Sequence, residues 1–147
     1  MAGEIRTLER YKQLFNHSPW DGILPNGITP SDIDVVFDNK MRARLLFCEF
    51  TCKETLWEQK QYGQRTLYMQ LLRTNNYENA CVLCNHNVPA DQQINSITDI
   101  ISFQMMRIPN RSGEVKFYPS AKKAYDGSQW FDFVKMFYGL DNKLGTW

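Results

Sequence analysis

IDVVFDNK at residues 33–40 and RARLLFCEFT at residues 42–51 decide how this chain folds. Both runs are rich in β-branched and aromatic residues, and a short polar turn around Asn39 and Lys40 separates them, so they predict a β-hairpin. Each strand also carries an acid. Asp34 alternates with Ile33, Val35 and Phe37, and Glu49 stands between Cys48 and Phe50. A carboxylate in an otherwise apolar strand is costly unless something satisfies it. Residues two apart in a strand point the same way, so Thr51 and then Lys53 are expected on the Glu49 side.

Working outward, residues 4–16 carry Ile5, Leu8, Tyr11, Leu14 and Phe15 at helical spacing, and the Pro-, Gly- and Asn-rich stretch HSPWDGILPNGITPSD then forms a loop into the hairpin. After the hairpin, Thr55 and Glu58 make a capping box. The proline-free run that follows places Leu67, Leu71 and Leu72 on one stripe, which predicts a helix over 56–74. Strands are expected at 80–85 and 97–108, the latter hairpinned with 115–118 across the turn residues 109–113. Ser128 would cap a last helix through Trp130, Phe131, Val134 and Phe137, ending near Gly139. The order is α-β-β-α-β with further β and α elements, a mixed central sheet flanked by helices in one domain spanning 1–147.

At 147 residues the chain is about one domain long, and its 43% hydrophobic and 22% charged residues exclude a disordered polymer. No run approaches the roughly 20 apolar residues of a membrane span. The charged start, MAGEIRTLERYKQ, has no secretory core, so a cytoplasmic protein is expected. A net charge of +1 argues against a wholly basic nucleic-acid wrapper yet allows a local positive groove beside an acidic centre. Cys48, Cys52, Cys81 and Cys84 form a C-x3-C and a C-x2-C, which suit either a structural zinc or core packing. Packing is the stronger reading, with Cys48, Phe50 and Cys52 on one apolar strand face.

Hydrolysis of a phosphodiester needs a cation to neutralise developing charge and activate water, and hard Mg²⁺ is held by one or two carboxylates. Asp34 and Glu49 supply such a pair. On the predicted helix, Lys60, Gln64 and Tyr68 stand at i, i+4 and i+8, an edge offering a charge, an amide and a phenol.

An acid in the first strand, an E-x-K-like second strand and a Q-x3-Y helix together resemble the PD-(D/E)xK phosphodiesterase superfamily, the restriction-endonuclease-like fold. The matching residues are Asp34 in Pro30–Phe37, Glu49 in Phe47–Thr51, and Gln64 with Tyr68, and in element order the likeness covers roughly residues 4–85. The resemblance implies a Mg²⁺- or Mn²⁺-dependent nuclease acting on DNA. Asp34, Glu49 and the Phe50 carbonyl would be metal ligands, joined by Glu9, or secondarily Glu4, from the first helix. Gln64 and Tyr68 would position water or phosphate, and Lys60, Arg65 and Tyr68 would contact the nucleic acid. One position departs: where the family has lysine this chain has Thr51, which carries no charge. Lys53 and Lys60 are the replacements, with Lys53 favoured because a strand constrains it more tightly. The small size resembles stand-alone nuclease-like proteins of phages and mobile elements, many of which pair as homodimers; a phage protein would act in the host cytoplasm. The alternative is a catalytically silent descendant that binds nucleic acid or a protein partner.

Single features also have plainer explanations. Asp32 and Asp34 would serve equally as turn and edge residues, His86 as a hydrogen-bonded strand end, and Arg107, Arg111, Lys116, Lys122 and Lys123 either as phosphate contacts or as a solvated basic face.

Overall fold

The computed structural model describes residue 23 and residues 33–140, apart from 61, 75, 76 and 110–112. The expected first helix with Glu4 and Glu9, and the loop after it apart from residue 23, lie outside the described residues. From residue 33 onward the chain forms one compact unit built on a six-stranded mixed sheet.

Among the described residues the strands are β1 (Val35–Asn39), β2 (Arg44–Thr51), β3 (Glu78–His86), β4 (Ile100–Arg107), β5 (Lys116–Tyr118) and β6 (Tyr125–Asp126), and the α-helices are α1 (Tyr62–Leu71) and α2 (Trp130–Phe137). Along the sheet the order is β1-β2-β3-β4-β5, with β6 also pairing with β4. The hairpin of β1 and β2 is antiparallel and pairs Val35 with Cys48 and Asn39 with Arg44. β2 and β3 run parallel, which requires the crossover that contains α1. β3–β4, β4–β5 and β4–β6 are antiparallel.

β3 is buried along nearly its whole length because helices cover both sheet faces, and its sequence ENACVLCNH accordingly lacks alternation. On one face Leu46, Cys48, Val82, Cys84, Phe103 and Met105 pack against Trp130, Phe133 and Phe137 of α2. On the other, Phe47, Cys81, Leu83 and Met106 pack against Trp57, Tyr68 and Leu72. Each fully buried large side chain contributes about 1.5–3 kcal/mol. The hairpin turn is fastened to α2 by Asn39, whose amide nitrogen donates to the Phe137 carbonyl at 3.0 Å while its oxygen accepts the Arg42 N–H at 3.3 Å.

Several elements differ from expectation. In place of one helix over 56–74, a 3₁₀ turn at Trp57–Gln59 is followed by extended backbone at Lys60 and then α1. The cause lies across the fold: the Trp57 N–H donates to Gln104 Oε1 at 2.7 Å and its indole N–H to the Gln104 carbonyl at 3.0 Å, so the buried tryptophan sets the local path. The Thr55–Glu58 capping box is replaced by Gln59, whose Oε1 accepts the Leu56 N–H at 2.8 Å. β4 begins at Ile100 because the Asn95 side chain takes the N–H groups of Ile97 and Thr98 into a turn, at 2.9 and 3.0 Å. The cap before α2 comes from Asp126, which accepts the Ser128 N–H at 2.8 Å and opens a 3₁₀ turn at Gly127–Gln129. That turn crosses β4 at backbone contact; a Cβ on Gly127 would collide with the Ile100 carbonyl. α2 ends, as expected, at Gly139, whose φ of +77° is the left-handed conformation of a helix stop.

No helix among the described residues is long and apolar enough to cross a membrane.

Candidate active site

Asp34 immediately precedes β1, and continuing the register from Val35 and Cys48 makes Glu49 its cross-strand neighbour. The Glu49 carboxyl lies on the side that α1 covers, whereas Cys48 and Phe50 on either side of it face α2, and Asp34 is an exposed bend residue at the mouth of the hairpin. Asp34 Oδ2 accepts the Phe50 N–H at 2.8 Å, which extends the hairpin ladder by one side-chain bond. Glu49 is 8% exposed, and the Tyr68 hydroxyl donates to its Oε2 at 2.6 Å. Lys60 Nζ lies 3.9 Å from Oε1 of the same carboxyl, with both side chains largely withdrawn from water. Burial raises the Tyr68 phenol well above its ordinary value, and the hydrogen bond and charge of Glu49 and then the charge of Asp34 raise it further. Tyr68 is thereby kept protonated, a permanent donor that fixes the Glu49 carboxyl.

The fold therefore brings Asp34, Glu49, the Phe50 backbone, Lys60 and Tyr68 together. Lys53 does not sit where strand alternation would place it. β2 ends at Thr51, and Lys53 is an exposed residue beyond it whose carbonyl lies 3.0 Å from the Thr51 hydroxyl and 3.1 Å from that of Thr55. The preference for Lys53 over Lys60 is thus reversed, and Lys60 reaches Glu49 from the extended residue before α1 rather than from a helix edge. Gln64 is half-buried on α1, one turn before Tyr68. Arg65 points elsewhere: its Nη1 donates to the Glu58 carbonyl at 3.2 Å and its guanidinium lies 5.9 Å from the Tyr62 ring centre.

Two carboxyls and a backbone carbonyl are hard oxygen donors, the set that suits Mg²⁺ or Mn²⁺. Among the described residues no three His, Cys, Asp or Glu side chains gather as a metal cluster. A four-cysteine zinc site is ruled out by geometry. Cys48 and Cys84 face α2, Cys81 faces α1 with its thiol 3.3 Å from the Tyr68 carbonyl, and Cys52 is exposed beyond β2. Cys52 therefore does not share the buried face of Cys48 and Phe50. His86 accepts the Val88 N–H through Nδ1 at 3.1 Å, a structural role.

Two residues that shape the site were not singled out in the sequence. Asn85, 1% exposed, accepts from the Thr51 hydroxyl at 2.8 Å and the Thr55 N–H at 3.0 Å, and donates to the Thr55 carbonyl at 3.2 Å and Ser102 Oγ at 2.8 Å. This clamp ends β2 and turns the chain toward Trp57. Gln104 is fully buried; besides holding Trp57 it donates to the Ser120 carbonyl at 2.6 Å. The available signal was polarity: an amide inside an otherwise apolar strand demands partners. Comparison with protein-family models, curated proteins and solved structures finds no match to this chain, so its function is argued from the site.

Proposed function

We propose that the protein is a divalent-metal-dependent nuclease that hydrolyses phosphodiester bonds in DNA. The observation that carries this reading is the buried Glu49, held by the Tyr68 hydroxyl at 2.6 Å and approached by Lys60 at 3.9 Å, beside the cross-strand Asp34. A structural carboxyl needs a partner; an acid pair with a lysine and an orienting phenol is also a phosphoryl-transfer constellation. The antiparallel hairpin followed by a helical crossover to a parallel strand supports the restriction-endonuclease-like core.

In this reading Asp34, Glu49 and the Phe50 carbonyl hold Mg²⁺ or Mn²⁺. The N–H and C=O of a strand residue project to the same edge, and the Phe50 N–H already faces Asp34. The bound ion supplies Lewis-acid stabilisation and a more acidic water. Tyr68 fixes the Glu49 carboxyl, Lys60 brings positive charge to the attacking water or the phosphate, and Gln64 contributes an amide on the same helix face. One observation favours a silent, nucleic-acid- or protein-binding descendant instead: Thr51, at the family's lysine position, is absorbed in the Asn85 clamp.

Nicking of supercoiled plasmid in Mg²⁺ or Mn²⁺ separates the two. Asp34→Asn keeps an acceptor for the Phe50 N–H and Glu49→Gln keeps one for Tyr68, yet each removes charge, and each is expected to slow nicking about 100-fold or more. Lys60→Ala is expected to lose a similar factor while Lys53→Ala stays near wild type. A wild-type protein that does not nick in either metal refutes the nuclease reading.

A further inference from the structure

The pairing of parallel strands β2 and β3 ends at Thr51 and Asn85, and both residues' neighbourhood opens on a crevice of about 500 Å³ that Asn85 itself lines. Its walls include Glu54 and Gln59 on one side and Lys122, Lys123, Tyr125 and Asp126 on the other. Such a crevice is where open α/β sheets place their ligands, and its volume suits a small-molecule-sized guest. Gln59, on one wall, is the chain neighbour of Lys60, whose ammonium approaches Glu49.

The chemistry of the walls narrows the guest. Lys122 and Lys123 are exposed and offer two ammonium groups, whereas Glu54 and Asp126 return two negative charges. The Asp126 carboxyl is held below its ordinary range by the Ser128 N–H and stays ionised. With no net positive excess, the crevice is poorly matched to a free polyphosphate. A guest with one negative charge per unit and donor groups alongside it fits better: the phosphate for the lysines, the base-edge donors for Glu54 and the Gln59 amide.

We propose that this crevice is a nucleotide subsite of a polynucleotide strand, holding through Lys122 and Lys123 a phosphodiester of the same strand that is presented to Asp34 and Glu49. The inference rests on the nuclease reading for its neighbour but not for its own chemistry. The segment carrying the lysines is supported from beneath by the Gln104–Ser120 bond and by the bridge between Ser120 and Lys123, so the two charges belong to a shaped wall.

The test is fluorescence anisotropy of a short labelled single-stranded deoxyoligonucleotide with the full chain in EDTA, where no cleavage occurs. Lys122→Ala/Lys123→Ala is expected to weaken binding about 10-fold or more and to make the plot of log affinity against log salt shallower by about 1 to 2. Lys40→Ala/Lys135→Ala changes net charge equally and, acting near the hairpin turn and the end of α2, away from the crevice, should move affinity about 2-fold at most. Glu54→Ala is expected to alter base preference without changing the salt slope. An unfolded double variant would show in its circular dichroism, and Lys122→Gln/Lys123→Gln then gives the same reading. Equal losses from both lysine pairs, an unchanged salt slope, or displacement of the strand by a free mononucleotide at matched nucleotide concentration would overturn the subsite. Nicking retained alongside any of these results would leave the nuclease reading standing; a wild type that binds no strand overturns the subsite outright.

Discussion

Replacing Tyr68 by Phe removes a single oxygen and leaves the ring that packs 5.1 Å from Trp57 in place. The ring is fully buried and phenylalanine has its shape, so the loss is confined to the 2.6 Å bond to Glu49. A hydrogen bond to a charged group is worth about 1.5–3 kcal/mol net. Most of that sum is expected here, because Glu49 has little water to turn to while Lys60, at 3.9 Å, engages the other oxygen. With about 2–4 °C of melting temperature per kcal/mol for a domain of this size, Tyr68→Phe should melt roughly 5–10 °C lower. The sharper measurement is a double-mutant cycle with Glu49→Gln by urea denaturation. If the phenol acts through the carboxyl, the pair shows a coupling of about 1–2 kcal/mol. A coupling indistinguishable from zero, or Tyr68→Phe within about 0.5 kcal/mol of wild type, would refute the argument that Tyr68 holds Glu49.

Two further outcomes follow from the core. Gln104→Leu strands the Trp57 N–H and the Ser120 carbonyl, each at about 1–3 kcal/mol, so urea unfolding should report a loss of roughly 2–5 kcal/mol. The thiols of Cys81 and Cys84 and the Tyr68 phenol are all raised by burial, so their contribution is complete below the unfolded-state values near 8.5 and 10 and is lost as pH rises above them. Stability measured against pH should therefore decline above about pH 8.5 by up to roughly 1.4 kcal/mol per unit for each group, with a shallower fall above pH 10 in Tyr68→Phe.

The hairpin, the crossover and the last helix were legible because their causes are local. Alternation in 33–51, a polar turn, the stripe of Leu67, Leu71 and Leu72, and Gly139 as a stop are written within a few residues of where they act. The face of Glu49 was legible for the same reason, since strand alternation fixes it once the hairpin is drawn. What escaped depends on partners far along the chain. The break before α1 is imposed by Gln104, 47 residues from Trp57, and the end of β2 by Asn85, 30 residues from Thr55. Without that clamp, Lys53 reads as a continuation of the strand. β6 has only Tyr125 and Asp126, too short for any periodicity to announce.

Those two amides have a consequence for how a guest would be received. Asn85 anchors the lip that leads from Thr51 to Thr55, and Gln104 anchors the opposite lip through Ser120. An opening whose two rims are bolted to one rigid slab stands ready before anything arrives, so an incoming molecule forfeits little of its affinity to ordering the protein. The shape of the entrance is inherited from the interior, and a change deep in the slab would be felt first at its mouth.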